Sequence, residues 1–306
     1  MVNRDHSLFN CQFSIFDYLR NMLWLKNWVK YHFSKRIHRD KLHPSVGIQQ
    51  RALMQHYRTA LANKQVPPFN TTGFKVFSQF EEDGLLLFLF SLIGEGSKTF
   101  IEIGANDGIN SNCSNLAIHF GWSGLFFEGD SKLIRRGQKF YSKIPTPYHD
   151  KPKYIQAIIQ RENINQLIEQ AGLSGEIELL SIDIDGNDYW VWDALTVVQP
   201  KVVIIETHTE FGLENIVVPY DPQYMYPGKH PVYHGASVVA MNRLAEKKGY
   251  RLVGANDLGM NQIYIRQDLL VESLPSVSPE STLWHPKAKA DYARFEEIKD
   301  WEYISG

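Results

Sequence analysis

Thr99-Phe-Ile-Glu-Ile-Gly-Ala-Asn-Asp-Gly108 is the stretch that decides the fold of this chain. It opens as an apolar run broken only by Glu102, which suits one strand of a buried parallel sheet. Gly104 and Gly108 then bracket a turn, and a helix near residues 112–120 stops at Gly121. A second apolar run, residues 123–128, ends in Glu128, twenty residues beyond Gly108. Strand, glycine turn, helix, strand and acid together form a holder for a nucleotide-like ligand. The glycines let the ligand approach main chain, and the distal acid accepts from ribose hydroxyls. The spacing is not G-x-G-x-x-G but Glu102-x-Gly104-x-x-x-Gly108. An acid ahead of the first glycine fits a cofactor carrying a cationic amino-acid group, as S-adenosylmethionine does, and not a pyrophosphate.

Outward from this stretch, strands and helices alternate. Strands are expected at 99–104, 123–128, 153–158, 178–184 and 201–206, the last after Pro200, with helices at 130–141, 162–171 and 188–196 between them. A helix over 236–248 ends at Gly249, and strands 250–255 and 262–266 follow, joined through Asn256-Asp257-Leu258-Gly259. Alternation of this kind makes an α/β fold with a parallel sheet covered on both faces. The last two strands are too close for a helical crossover and must pair antiparallel. The expected architecture is therefore a Rossmann-like, mostly parallel seven-stranded sheet with a terminal antiparallel hairpin, that of the class I methyltransferases.

The 306 residues allow one large domain with appendages. We divide them into a helical basic extension (1–66), a cofactor domain (67–270) and a C-terminal surface extension (271–306) with a helix near 287–299. Pro44 and Pro67-Pro68 read as punctuation of the linker between the first two. Hydrophobic content of 43% and charged content of 22% are ordinary for a soluble enzyme, and a net charge of −2 gives no reason to expect nucleic acid. The charge is uneven: residues 4–41 hold eight Lys/Arg against three Asp. There Ile15, Leu19, Met22, Val29, Phe33 and Ile37 approximate a helical stripe. Two readings stand: a helical cap, or an amphipathic segment (residues 15–41) resting on an anionic membrane surface. Cys11 and Cys113 form no C-x-x-C pair, no apolar run reaches the length of a membrane span, and no signal-peptide pattern opens the chain. The expected location is cytoplasmic and, on the second of these readings, peripheral at the inner face of a membrane.

Residues 76–266 resemble the FkbM-type methyltransferases, a family of S-adenosylmethionine-dependent O-methyltransferases. The resemblance is carried by Ser78-Gln-Phe-Glu-Glu-Asp-Gly84, the Phe100–Gly108 turn, Gly121-Trp-Ser-Gly-Leu-Phe-Phe-Glu-Gly129 and Ser181-Ile-Asp-Ile-Asp-Gly-Asn-Asp-Tyr-Trp190. The sequence departs from the family pattern at Glu81, where glycine is expected. The resemblance implies methyl transfer to a hydroxyl of a saccharide or glycoconjugate, with Glu102, Gly104, Asp107 and Glu128 holding the cofactor. With the other residues at the same strand ends, the candidate cofactor set is Glu102, Gly104, Asn106, Asp107, Gly108, Glu128, Gly129 and Asp183.

A second constellation lies at the ends of the fourth and fifth strands, in Asp183-Ile-Asp185-Gly-Asn-Asp188 and Glu206-Thr-His208-Thr-Glu210. Adjacent parallel strands sit about 5 Å apart, so these ends share a crevice. Clustered carboxylates repel unless a cation or a proton relieves them, and oxygen ligands suit Mg²⁺ or Mn²⁺. Asp183, Asp185 and Glu206 are the candidate metal ligands. In the competing reading Asp183 contacts cofactor, Asp188 caps the next helix and Glu206 pairs with a base. Methyl transfer to a sugar hydroxyl needs alignment and removal of a proton. His208 has the intrinsic pKa for that base, with Asp185 and Asp188 as the competing choices. The segment is neither an EF-hand, which needs Gly at 188 and Glu at 194, nor a dehalogenase-type nucleophile loop, which belongs after a first strand. The loop from Pro219 to Gly235 is long for its place and carries Tyr220, Tyr224, Tyr226 and Tyr233, suited to a sugar ring. A nicotinamide-dependent sugar-nucleotide oxidoreductase would require G-x-G-x-x-G and a Tyr-x-x-x-Lys pair, neither present in the required context. An inactive cofactor-binding scaffold is the remaining alternative. Nothing in the sequence names the oligomer.

Overall fold

The computed structural model describes residues 40–144, 150–270 and 272–306. The chain divides into residues 1–46 and 47–306. The basic apolar stripe from Ile15 to Ile37 lies outside the described residues. Among the described residues no helix is long and apolar enough to cross a membrane.

Seven strands form one sheet: β1 (Thr99–Ile103), β2 (Ser123–Glu128), β3 (Lys153–Gln156), β4 (Gly175–Ile182), β5 (Val198–Glu206), and, after a two-residue strand β6 (Ile216–Val217), β7 (Tyr250–Ala255) and β8 (Asn261–Arg266). Their order is β3-β2-β1-β4-β5-β8-β7. All pairs are parallel except those made by β8, which runs antiparallel to both β5 and β7. This order and hand of pairing are those of the class I methyltransferase sheet. The switch between β1 and β4 opens a crevice at the carboxyl ends of the strands, where ligands bind in such sheets.

The strands read as near-continuous apolar runs because both faces are covered. Ile101 and Ile103 of β1 join Leu180, Ile182, Val203 and Ile205 in the larger core. On the opposite face Phe100 packs on Phe126 with ring centroids 5.1 Å apart. Covering helices are α1 (Pro44–Ala62), α2 (Glu82–Ile93), α3 (Ser114–Phe120), α4 (Ser131–Tyr141), α5 (Ile164–Gln170), α6 (Asp188–Ala194), α7 (Val238–Lys247) and α8 (Pro286–Tyr292). Gly121 ends α3 in the left-handed conformation, φ 71°, as its sequence position implies.

Four boundaries differ from expectation. Pro44 does not punctuate a linker; it stands at the first position of α1, where its missing N–H is no loss. From Gly47 onward this helix belongs with the main body: Gln50 and Asn115 exchange buried amide hydrogen bonds of 3.0 and 2.6 Å. The expected domain boundary at residue 66 therefore moves back toward residue 46. Pro200 lies within β5 and not before it. It is tolerated because β8 begins pairing only at Val202, leaving one side of the ladder open at Pro200. The C-terminal residues are more than surface: Phe295 and Ile298 are buried with Phe211 and Val232, and β9 (Ile304–Ser305) pairs with β6.

Glu81, the departure from the family pattern, also has a structural reason. Its carboxylate accepts from the Asp257 N–H in the β7–β8 turn. Next to it Glu82 accepts from the side-chain amides of Asn256 and Asn261, at 3.0 and 2.8 Å. Asp83 accepts from the backbone N–H groups of Val76, Phe77 and Ser78, and burial lifts its pKa to about 6. Glu81 and Glu82 thus lash the start of α2 to the terminal hairpin, while Asp83 ties it to the preceding loop at residues 76–78.

Candidate functional site

The turn after β1 is shaped by close packing against β4. Gly104 has φ 81°, and a Cβ there would lie 1.7 Å from the Asp183 carbonyl oxygen. The glycine therefore lets β1 and β4 close at the switch point. Asn106 is exposed in the same turn, also with positive φ, 54°. Gly108 faces the Tyr154 hydroxyl.

Three acids expected to face a ligand are instead turned into the protein. Glu102, 4% exposed, accepts from the Ser111 hydroxyl and from the N–H groups of Asn112 and Cys113, at 2.6, 3.0 and 3.1 Å. It holds the entry of α3. Asp107 accepts from the Ile109 and Asn110 N–H groups and pairs with Arg136 at 3.1 Å. Asp188 accepts from the Ile184 and Gly186 N–H groups, both at 2.9 Å, closing the turn that leads into α6. Each is a buried carboxylate whose oxygens are spent on main-chain N–H groups and, for Glu102 and Asp107, on the Ser111 hydroxyl and the Arg136 guanidinium as well. Glu102, Asp107 and Asp188 therefore shape the turns at the ends of β1 and β4.

The outward-facing groups form a rim. Glu128 is half-buried; its Oε1 accepts from the Asp130 N–H at 2.8 Å, which fixes the carboxylate. Gly129 beside it is exposed, and Ile158, at the end of the expected third strand, is 74% exposed. A Cβ on Gly129 would touch Ile158 at 3.5 Å. An acid adjoining a bare apolar surface suits a ribose with an attached base. Ile158 carries no polar signature, so periodicity alone does not single it out.

The register Ile182↔Ile205 sets Asp183 opposite Glu206. One oxygen from each of Asp183, Asp185 and Glu206 lies within 4.8 Å of the others. Asp185 is exposed with φ 58°, whereas Asp183 and Glu206 are half-buried. Burial, with the charges of Asp188 and Asp185, lifts Asp183 to about 8. Burial and then Asp183 lift Glu206 well above the usual carboxylate range. Among the described residues Glu206 Oε2 has no hydrogen-bond partner. The set can be relieved by shared protons or by a divalent cation.

His208 follows directly and is buried, its Nδ1 3.8 Å from Glu210 Oε2. Burial would raise Glu210, but the neighbouring imidazole outweighs it and holds the carboxyl at about 2. Arg294, from the C-terminal segment, approaches the other oxygen of Glu210 at 3.5 Å. His208 Nε2 is buried without a partner among the described residues.

The loop 219–235 bounds a cavity of about 410 Å³ lined by Gly186, Asn187, Tyr224, Lys229, His234 and Glu302, among others. Three of its four tyrosines are anchored. Tyr220 donates to Glu162 and lies under Arg161, 4.1 Å from the ring centroid. Tyr233 donates to the Glu302 carbonyl at 2.6 Å. Tyr224 lies against Gly186 and stacks on His234. Tyr226 alone of the four is more than half exposed, at 57%. His234 reaches the site through an αL glycine: Gly235 has φ 70°, and a Cβ there would strike the His208 ring at 2.2 Å. This histidine and the C-terminal Glu302 escape a reading by sequence neighbourhood, because only the folded loop and tail bring them to β5.

No protein-family model matches the chain, and no curated protein matches it. Among solved structures it is similar to an S-adenosylmethionine-dependent methyltransferase from Methanosarcina mazei (12% identity, 55% of this chain and 90% of that one, TM-score 0.35). It is also similar to the N-terminal domain of EvdMO1 with SAH bound (13% identity, 71% and 95% coverage, TM-score 0.41). A third is an O-methyltransferase family protein from Burkholderia thailandensis (10% identity, 73% and 71% coverage, TM-score 0.36). These are likenesses of fold, and the strand order β3-β2-β1-β4-β5-β8-β7 by itself gives the chain the class I methyltransferase fold.

Proposed function

We propose that the protein is an S-adenosylmethionine-dependent O-methyltransferase of FkbM type, acting on a hydroxyl of a saccharide or glycoconjugate. The observation that carries this reading is the convergence of Asp183, Asp185 and Glu206 at the carboxyl ends of β4 and β5, with His208 nearby in sequence and in ring contact with His234 of the polar aromatic cavity. Glu128 would take the ribose hydroxyls, and Ile158 with Gly129 would face the base. When bound, the cofactor supplies a methyl group whose bond to sulfur breaks as the bond to the acceptor oxygen forms. The protein aligns that oxygen and takes its proton at His208 Nε2. Glu210 keeps the other ring nitrogen protonated and the ring oriented.

A His208→Ala enzyme should lose roughly 10²–10⁴-fold in kcat, the usual worth of a positioned base. Its affinity for S-adenosylhomocysteine should be unchanged by calorimetry. Turnover at the parental rate would remove His208 from the mechanism. Methyl transfer from labelled cofactor to a panel of glycans, alongside thermal stabilisation by S-adenosylhomocysteine against NAD, tests the function itself. The grouping of three acid oxygens within 4.8 Å favours a second reading, in which Mg²⁺ or Mn²⁺ at Asp183, Asp185 and Glu206 orients the acceptor. Running the same panel with a chelator separates it from the metal-free one. On the same proposal, the basic segment 15–41 brings the enzyme to a membrane carrying its acceptor. Full-length protein should then bind anionic vesicles and release them as salt rises.

A further inference from the structure

His234 is 5% exposed and lines the cavity, yet the protein leaves half of its polar capacity unused. Its Nε2 lies 3.0 Å from the Pro231 carbonyl oxygen. A carbonyl oxygen can only accept, so Nε2 carries the ring proton. Burial, with the adjoining His208, holds the pKa down to about 3, so the ring stays neutral. The proton on Nε2 leaves Nδ1 as a bare lone pair, and that atom is buried with no partner among the described residues. An orphaned acceptor of this kind costs stability until a donor reaches it. Ionised carboxylates and ketones have no proton to offer it, whereas a neutral hydroxyl does.

A second orphan lies beside it. The His208 and His234 rings meet edge to face, with centroids 4.0 Å apart. Glu210, 3.8 Å from His208 Nδ1, favours the proton on that nitrogen and leaves His208 Nε2 as an acceptor too, again buried and without a partner. Two acceptors on rings in contact match two donors on neighbouring atoms. Tyr224 Oη, a third unpartnered buried atom, belongs to the ring stacked on His234.

We infer that the His208–His234 pair reads a vicinal diol: His208 takes the proton from the hydroxyl that is methylated, and His234 Nδ1 accepts from the hydroxyl on the adjacent carbon. This deepens the O-methyltransferase reading and rests on it for the role of His208. It makes His234 the specificity-determining residue, excluding acceptors that lack the second hydroxyl.

The test uses full-length protein labelled with ¹⁵N-histidine and saturated with S-adenosylhomocysteine. Imidazole spectra should show His234 as the neutral Nε2–H tautomer from pH 8 down to pH 5. Addition of cis-cyclohexane-1,2-diol should move the His234 Nδ1 signal, while cyclohexanol at the same concentration should not. A protonated Nδ1, or equal shifts with both probes, overturns the inference. In turnover, glycans accepted by the enzyme should lose about 10–100-fold in kcat/KM when the hydroxyl next to the methylated one is removed, the worth of one hydrogen bond to a buried group. His234→Phe and His234→Gln should erase that difference with cofactor affinity intact, and a difference preserved in both variants overturns the inference. Failure of the enzymatic reading looks different: no glycan is methylated and S-adenosylhomocysteine gives no stabilisation, whatever the diol does to the histidine spectra.

Discussion

Gly104→Ala should be the most damaging single-methyl change in the protein, lowering stability by about 3 kcal/mol or more and abolishing S-adenosylhomocysteine binding. Two costs add. The residue sits at φ 81°, where a side chain costs roughly 1 kcal/mol. The new Cβ would also stand 1.7 Å from the Asp183 carbonyl oxygen, a backbone atom that can move only if β4 moves with it. Gly104 N–H donates to the Phe127 carbonyl and Asp183 N–H to the Ile103 carbonyl, both at 3.0 Å, so parting the two turns strips hydrogen bonds on both sides of β1. Gly108→Ala makes a useful contrast. It too has positive φ, but its clashes, 2.4 Å with the Tyr154 hydroxyl and 3.0 Å with the Phe126 ring, are with side chains and not with the backbone of a neighbouring strand. Urea unfolding should rank Gly104→Ala well below Gly108→Ala. Equal midpoints for the two variants, or parental cofactor binding by Gly104→Ala, would show that the β1–β4 contact does not govern the site.

What the sequence discloses, and what it conceals, follows from how local each signal is. The strands β1, β2, β4 and β5 are apolar runs bounded by glycine or acid, so their existence and order of use are legible. The antiparallel end of the sheet is legible from the short span between residues 255 and 262. Asp183, Asp185 and Glu206 fall together because each closes a strand in a sheet whose neighbours can be inferred. Burial is a different matter. Nothing local distinguishes Glu128, which faces the rim, from Glu102, which spends its oxygens on Ser111, Asn112 and Cys113. Pro44 and Pro200 read as breaks because proline lacks a donor, yet each occupies a place where no donor is needed. His234, Arg294 and Glu302 approach the site from segments that pack around Phe211, Val232, Phe295 and Ile298. That small core has no periodic signature along the chain.

Neutralising the buried acids should stabilise the metal-free protein, against the usual rule that site substitutions destabilise. Asp183 has its pKa lifted to about 8 by burial first and by Asp188 and Asp185 next. Its unfolded counterpart titrates near 4. Between these values the folded state keeps a proton that the unfolded state has released, so stability is full below about pH 4 and falls as pH rises through 8. Glu206, raised in the same direction, adds to that slope, and Asp83, lifted to about 6, adds to its lower part. Wild-type protein treated with chelator should therefore lose more than about 2 kcal/mol between pH 5 and pH 8, or roughly 4 °C or more in Tm. Asp183→Asn and Glu206→Gln keep the size of the side chain and remove the charge that burial disfavours. Each should flatten the slope and raise Tm at pH 8 while leaving pH 5 nearly unchanged. The same measurement discriminates between the two ways of relieving the cluster. A divalent cation binds the ionised form, so Mg²⁺ or Mn²⁺ should restore the wild-type Tm most at pH 8, least at pH 5, and little in either variant. If shared protons alone relieve the cluster, added cation leaves every curve where it was. A wild-type Tm that is flat or rising from pH 5 to pH 8, with both variants matching it, would mean that Asp183 and Glu206 are ionised and solvated in the folded protein, and the crevice between β4 and β5 would then be open to water.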